Sequence, residues 1–226
     1  MKRGLVLVEG QSEERVVNEC LGPYMQERGL VLTPTIVKTK RVVGGPDFKG
    51  GVASYAQIRR DLGFLLHDTG ASVITTLLDY YAVPDDFPGM TDRPPRSANA
   101  RVTHVEAVWA SSVGDRRFVP HLALHELEAW VFADPSRLES WMFDDDAAII
   151  AAIAQVAAAH GTPEDINEGQ HTAPSKRLRN AFSAYQKTLH GPLAIAAIGI
   201  DRICAVCPHF ARWLDALEAI AAGALP

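Results

Sequence analysis

The stretch GLVLVEG, residues 4–10, decides the fold class of this chain. Its first five residues form an unbroken apolar run, as expected of a strand that is buried on both faces of a parallel sheet. The run ends in an acid, Glu9, and Gly10 allows the backbone to turn tightly after it. The stretch therefore predicts the first strand of a parallel α/β sheet, with Glu9 at its carboxyl end as a functional acidic residue.

Length and composition are those of an ordinary globular chain. The 226 residues are 47% hydrophobic and 22% charged, which is enough apolar content to bury a core. The net charge of −5 indicates no broad basic face for nonspecific nucleic-acid binding, but a net charge does not exclude a local cationic groove. No apolar run has the length of a membrane span, and the first run is too short for a signal peptide.

The three cysteines are an odd number, which argues against a disulfide framework and favours a reducing cytoplasm. Cys204 and Cys207, followed by His209, have the spacing of half a zinc site. A structural zinc site needs four ligands, and Cys20 is the only other thiol. Small residues in a packed helix are therefore the favoured interpretation of this pair.

Strands and helices alternate over the first 133 residues. After the first strand, strands are predicted at 30–37, 72–78 and 118–124, and helices at about 12–29, 54–67 and 97–110. This order predicts a mostly parallel four-stranded sheet flanked by helices. A glycine-rich loop is predicted at 44–51. From residue 134 onward only helices are predicted, near 135–141, 145–160, 175–188 and 208–222. We therefore expect an α/β domain at 1–133 and a helical extension at 134–226 packed on it.

Acidic residues follow three of the four predicted strands. Glu9 follows the first, Asp79 the third, and Glu126 and Glu128 lie just beyond the fourth. Ligands of open parallel sheets bind outside the carboxyl ends of the strands. Carboxylates that converge there repel each other unless they bind a cation or hold a proton. Their oxygens suit Mg²⁺ or Mn²⁺, so the four acids predict a metal site for phosphoryl transfer.

Each acid also has a simpler interpretation as a helix cap or a solvated turn residue. That interpretation fits Glu13 and Glu14 best, because they stand in the first turn of a predicted helix. For Glu126 and Glu128, the backbone conformation determines which side chains share a face. An extended backbone places Glu126 and Glu128 on one side, whereas a helical backbone brings His125 to Glu128 and directs Glu126 elsewhere. The sequence leaves this choice open.

Ser175, Lys176 and Arg177 stand at the start of a predicted helix. In one interpretation Ser175 caps the helix and the two cations are solvated. In the other, the helix N-terminus and these side chains bind a substrate phosphate, because both carry positive charge. Lys187 would extend the cationic strip, and Lys176 would act catalytically by stabilising the charge that develops on the phosphate.

Several segments resemble a known family. VEGQSEE (8–14) and LLDYY (77–81) are similar to the TOPRIM fold, the metal-binding module of topoisomerases, primases and overcoming-lysogenization-defect (OLD) nucleases. Nearly the whole chain resembles a TOPRIM-like bacterial family, which is catalogued as a domain of unknown function (number 4276). The segments that carry this resemblance are VEGQSEE, LLDYYAVPDDFPG (77–89), PHLALHELEAWVF (120–132), TAPSKRL (172–178) with Tyr185 and Lys187, and CPHFARWL (207–214).

The resemblance implies a nuclease that uses Mg²⁺ or Mn²⁺, with Glu9 and Asp79 as metal ligands. It also implies a two-gene defence or repair system in which a separate ATPase is the partner. The chain has no P-loop, so we do not expect it to hydrolyse ATP itself. Whether it acts on DNA or RNA, and whether it forms a homo-oligomer, stays open.

One departure from the TOPRIM pattern concerns the second aspartate of its Asp-x-Asp motif. Tyr81 stands at that position. Asp85, Asp86 or one of the glutamates after the fourth strand would have to replace the ligand. The alternative function is a non-catalytic TOPRIM-derived binding or scaffold subunit.

Overall fold

A parallel sheet of five strands lies at the centre of the protein. The computed structural model describes residues 1–37, 54–140, 147–167, 169 and 172–224; the glycine-rich loop predicted at 44–51 lies outside them. The strands are β1 (Lys2–Val8), β2 (Leu30–Ile36), β3 (Val73–Asp79), β4 (Phe118–Val119) and β5 (Leu122–Ala123). Their order is β2-β1-β3-β4, β5 also pairs with β3, and every pairing is parallel. The predicted α/β class with a parallel sheet is confirmed.

The predicted fourth strand at 118–124 is divided into two short strands, β4 and β5. Both pair with β3, and Pro120 stands between them. Proline has no N–H group to donate to a neighbouring strand. The side chain of Thr76 bridges the interruption: its hydroxyl accepts a hydrogen bond from the His121 amide at 2.9 Å and donates one to the His121 carbonyl at 2.8 Å.

Helices flank the sheet and make up most of the chain after residue 134. Those in the described ranges are α1 (Gln11–Val16), α2 (Gly22–Glu27), α3 (Tyr55–Leu66), α4 (Ala98–Val113), α5 (Ala147–Ala158), α6 (Pro174–Ala181), α7 (Lys187–Ile198), α8 (Ile200–Val206) and α9 (Pro208–Ala222). A π-helical turn, Val17–Leu21, joins α1 to α2, and a 3-10 helix spans Pro135–Ser140.

Three of these helices, α6, α7 and α8, differ most from the sequence-based expectation. The helix predicted at 175–188 ends at Ala181, and both α7 and α8 were missed. Gly191 and Pro192 lie inside α7, and glycine and proline are the residues least compatible with a helix interior. Tertiary packing outweighs that preference, because both residues are buried.

The core covers both faces of the sheet, as the alternation of side chains along β1 requires. Val6 and Val8 belong to a cluster that includes Trp130 and Phe210, whereas Leu7 belongs to a second cluster. The first cluster also contains Leu138 and so continues across residues 133 and 134. The predicted division into two domains at that point stays a prediction.

Within the described ranges, no single helix is both long and apolar enough to cross a membrane. Of the described helices, only α7 and α8 taken together, which meet at an angle of 85°, reach that length and apolar character.

Candidate active site

Five acidic side chains converge at the carboxyl ends of β1 and β3. We call them the carboxylate cluster: Glu9, Glu13, Asp79, Glu126 and Glu128. All are buried except Glu9, which is partly buried. The four acids predicted after the strands are thus brought together, joined by one acid from the first turn of α1. Charges of one sign at such density require a counter-charge or bound protons.

Lys187, the first residue of α7, lies among three members of the carboxylate cluster. Its Nζ atom is 3.0 Å from Glu128 Oε2, and 3.8 Å from both Asp79 Oδ2 and Glu126 Oε1. Burial opposes the charged form of Lys187, but attraction to these carboxylates outweighs it and raises the pKa of the lysine. The carboxylates thus favour the charged form of Lys187. The phosphate contact predicted for it stays a prediction.

Glu9 and Glu13 form the part of the cluster without an ion-pair partner among the described residues. Glu13 Oε2 accepts a hydrogen bond from the Gly10 amide at 3.0 Å. Glu9 Oε2 accepts one from the Asp79 amide at 3.4 Å. The two acids of the cluster that lack an ion-pair partner in the described part of the chain thus lie near the end of β1.

Burial is the main cause of raised pKa values in the cluster. Burial and then repulsion by Asp79 raise the pKa of Glu9 to about 7 and that of Glu13 to about 8. Burial raises the pKa of Asp79 to about 6 although Lys187 attracts its charged form. Burial also raises the pKa of Glu128 to about 8, and here too Lys187 acts in the opposite direction. Several of these groups hold protons at neutral pH when no further cation is present.

The stability of the metal-free protein is expected to fall as the pH rises from about 4.5 to about 8. Because folding raises the pKa of these carboxyls, the folded state binds more protons than the unfolded state in this range, and stability decreases with pH. The window begins near 4.5, the ordinary pKa of a glutamate, and ends near 8. Urea unfolding in a chelator at several pH values measures this. A free energy of unfolding that rises over the same window would contradict the placement of the cluster.

The N-terminus of α6 holds Glu126. The Ser175 amide donates to Glu126 Oε2 at 2.9 Å, and the Ser175 hydroxyl donates to Glu126 Oε1 at 3.0 Å. A carboxylate is stabilised at a helix N-terminus by the aligned peptide dipoles. The predicted anion-binding element thus binds an anion of the same chain. Lys176 is exposed, and Arg177 Nε donates to the Thr172 carbonyl at 2.8 Å. The phosphate contacts predicted for Ser175, Lys176 and Arg177 stay predictions.

Ser175→Ala is expected to lower the free energy of unfolding by about 1–3 kcal/mol, because a buried carboxylate oxygen loses its hydroxyl donor. Urea unfolding at pH 7.5 measures the loss. Ser136→Ala is the matched control: the Ser136 hydroxyl donates to Asp134 Oδ1 at 2.6 Å, but this bond is exposed. Its loss should change stability by less than about 0.5 kcal/mol. Equal effects of the two substitutions would show that the hydrogen bond to Glu126 contributes no more to stability than an exposed one.

An unusual backbone conformation at His125 brings both glutamates of the segment to the site. His125 has φ of 70°, in the left-handed region that residues other than glycine seldom adopt. Glu126 is extended, and a 3-10 helix, Leu127–Ala133, begins directly after it. The Leu127 amide donates to Asp79 Oδ1 at 2.9 Å, which ties this turn to β3. The backbone is therefore neither wholly extended nor wholly helical. Such strained residues cluster at functional sites.

The other acids considered for the second aspartate position lie elsewhere. Asp86 is exposed, and its Oδ1 accepts a hydrogen bond from the Tyr55 amide at 3.0 Å. Asp85 is exposed as well, and Tyr81 has 52% of its surface exposed. The glutamates after β5, rather than the loop aspartates, thus lie beside Asp79.

Two residues at the site had been given no role from the sequence. Glu13 has the sequence pattern of a first-turn acid, and it does bond the Gly10 amide, but it also lies in the carboxylate cluster, where Asp79 and Glu9 repel its charged form. Tyr185 is buried, and its hydroxyl has no hydrogen-bond partner among the described residues. Burial, followed by repulsion from Glu128, raises its pKa. Only the family resemblance had drawn attention to Tyr185.

Comparison with known proteins gives one match. A family model described as Domain of unknown function (DUF4276) matches residues 8–218, a range that contains the whole carboxylate cluster and Lys187. Neither a curated protein nor a solved structure matches the chain.

Proposed function

The chain belongs to the DUF4276 family, and from its site we propose that it is a metal-dependent, nuclease-like phosphoryl-transfer protein acting on nucleic acid. The observation that carries the proposal is the carboxylate cluster at the carboxyl ends of β1 and β3, which one lysine among the described residues, Lys187, opposes. Once they lose their protons, the five acids outnumber the one ammonium group among the described residues, and they do so where parallel sheets bind their ligands.

The donor chemistry of the cluster suits Mg²⁺ or Mn²⁺, which prefer carboxylate oxygens. Glu128 Oε1 is buried and has no hydrogen-bond partner among the described residues, so it has a lone pair to offer. No three members of the cluster place donor atoms within 4.8 Å of one another, so these side chains must turn toward a shared ion. Glu9, Asp79 and Glu128 would hold it, whereas Glu126, with both oxygens bonded to Ser175, positions α6.

The remaining residues would handle protons and phosphate. A metal bound here would polarise a phosphate oxygen and activate water. Glu13, with its pKa raised to about 8 mainly by burial, is suited to accept and release a proton near neutral pH. Lys187 would leave Glu128 and contact the phosphate, where a cation stabilises the developing charge. Lys176 and Arg177, on the first turn of α6, would bind flanking phosphates.

A relation to the TOPRIM domains of OLD nucleases is part of the proposal. It is supported by the positions of Glu9 and Asp79, which stand at the ends of adjacent parallel strands. By the same resemblance, we infer a separate ATPase partner in a defence or repair system.

The second candidate function is a non-catalytic binding or scaffold subunit. Two observations favour it: Lys187 already provides a cation to three carboxylates, and the exposed Tyr81 stands where a second aspartate is expected. In that case the lysine would neutralise the cluster and no metal would be needed.

Calorimetric titration and cleavage assays distinguish the two functions. The purified chain is titrated with Mn²⁺ and Mg²⁺ at pH 8 and incubated with labelled single- and double-stranded DNA and RNA. Nuclease function predicts metal binding, cleavage that a chelator stops, and stabilisation by Mn²⁺ that increases from pH 5.5 to 8 as the carboxyls lose protons. Absence of metal binding in the wild-type chain would favour the scaffold.

A further inference from the structure

A second group of ligand-type side chains joins α4, the junction between β4 and β5, and α9. Its members are Glu106, His121 and His209, and one donor atom from each lies within 4.8 Å of the others. His209 Nε2 is 2.9 Å from Glu106 Oε2, and His121 Nδ1 is 3.8 Å from Glu106 Oε1. The group shares no residue with the carboxylate cluster, and in the described part of the chain it is the tightest set of this kind.

We propose that Glu106, His121 and His209 form a binding site for Zn²⁺ or a chemically similar transition-metal ion. Two imidazoles and one carboxylate are a ligand set that such ions accept with tetrahedral geometry, with a fourth position for water. Mg²⁺ prefers oxygen ligands, so the chemistry of this site differs from that of the carboxylate cluster.

Packing and hydrogen bonding hold the three ligand side chains in defined positions. His121 Nδ1, at 3.8 Å from Glu106, is too distant for a hydrogen bond to that carboxylate. The His121 ring stacks on His209 with centroids 4.7 Å apart and on Trp213 with centroids 4.3 Å apart. Glu106 is fixed as well, because its Oε1 accepts a hydrogen bond from the Leu122 amide at 2.8 Å. The ligands are therefore held in place before an ion arrives.

Present hydrogen bonding leaves both imidazoles incompletely satisfied. His121 Nε2 and His209 Nδ1 are buried without a partner among the described residues, and the two side chains are only 1% and 3% exposed. A metal would bind the other nitrogen of each ring, His121 Nδ1 and His209 Nε2, which face Glu106. Binding there would leave His121 Nε2 and His209 Nδ1 as N–H groups. In zinc sites the second imidazole nitrogen commonly bonds a neighbouring acceptor or water.

An ion has a route to the site. A cavity of about 170 Å³ is lined by the three ligands together with Thr103, Arg212 and Trp213. Arg212 is the one unfavourable charge in this lining, but its Nη2 donates to Asn99 Oδ1 at 3.0 Å. That bond keeps the guanidinium engaged with α4.

The location indicates a structural role. Glu106 belongs to α4, His121 lies between β4 and β5, and His209 stands in the first turn of α9. One ion would thus connect the last helix to the sheet and to α4. Because the ion would bind the folded chain and not the unfolded one, it would raise the midpoint temperature of unfolding.

Spectroscopic titration with Co²⁺ and Zn²⁺ tests the proposal on the intact chain after treatment with a chelator. We expect one equivalent of Co²⁺ to produce visible absorption of nitrogen and oxygen coordination without a thiolate band, and Zn²⁺ to displace it. Glu106→Gln and His209→Gln should each weaken metal binding at least about tenfold. Loss of a residue that only bonds a ligand already lowers metal affinity by about that factor, and loss of a ligand itself should cost more. Cys204→Ser and Asp79→Asn are the controls and should leave metal binding unchanged.

Several results would overturn the proposal. They are the absence of stoichiometric Co²⁺ binding, a thiolate band, unchanged affinity in folded Glu106→Gln or His209→Gln protein, and loss of binding in Asp79→Asn. If the ligand variants do not fold, ring ¹⁵N resonances of the wild-type histidines decide the matter. Zn²⁺ should shift the resonances of His121 and His209 and leave the exposed His67 unchanged; unshifted signals of the first two contradict the site. A negative result at this site would not contradict the function proposed for the carboxylate cluster, because the two sites share no residue.

Discussion

Asp79→Asn and Glu9→Gln are each expected to lower the rate of metal-dependent phosphodiester cleavage by about 10²–10³-fold. Each substitution keeps the shape of the side chain and removes one negative charge that would hold the metal. Both positions end adjacent parallel strands, so no neighbouring acid can take the same place without moving a strand. Initial rates with Mn²⁺ at pH 8 on the best substrate of the nucleic-acid panel measure the loss.

Asp86→Asn is the matched control for these two variants. Asp86 lies in the loop after β3 but is exposed and bonds the Tyr55 amide, so its charge is not needed at the site. Its rate should stay within about twofold of wild type, a difference that corresponds to roughly 0.4 kcal/mol. Cleavage that persists in both Glu9→Gln and Asp79→Asn would show that the cluster is not the catalytic centre.

Lys187→Met is expected to lower the free energy of unfolding by about 3–5 kcal/mol at pH 8, because it leaves buried carboxylates without their cation. Methionine keeps much of the length of the aliphatic chain, so the loss reports on charge rather than on packing. The effect should shrink toward pH 5, where the carboxyls of Glu128 and Asp79 bind protons and need the cation less. Urea unfolding at both pH values, in a chelator, measures the difference.

Lys176→Met provides the comparison for this substitution. Lys176 is exposed, and its replacement should change the free energy of unfolding by less than about 0.5 kcal/mol. Saturating Mn²⁺ should restore much of the stability of the Lys187→Met protein, because the ion would supply the missing positive charge. A loss at Lys187 that is as large at pH 5 as at pH 8 would show that the lysine acts through packing.

The sheet and the position of its acids were predictable from local patterns. Apolar runs such as residues 4–8 are long enough to identify buried strands, and an acid placed directly after such a run lies at the carboxyl end. The common location of Glu9 and Asp79 follows from parallel pairing alone. The fourth strand was predicted as one piece, although Pro120 is a local signal for its interruption.

The parts of the site that were not predictable depend on tertiary structure. The left-handed conformation of His125 has no sequence signal, since glycine is the usual residue there, and it determines where Glu126 points. The sequence predicts one helix at 175–188, which puts Lys187 on a cationic strip with Lys176 and Arg177; Gly191 and Pro192 disfavour a prediction of α7, the helix that Lys187 begins. Folding instead brings its first residue to the carboxylates. The N-terminus of α6 had the right chemistry for an anion, but sequence alone does not reveal that the anion is Glu126.

The most direct test of the metal site is the anomalous difference density of crystals of the full chain grown with Mn²⁺ at pH 8. The expected result is a peak bounded by the carboxylates of Glu9, Asp79 and Glu128, with the Lys187 ammonium displaced from its position 3.0 Å from Glu128. Absence of a peak at that place, with Lys187 still bound to Glu128, would contradict a metal-dependent function for the cluster.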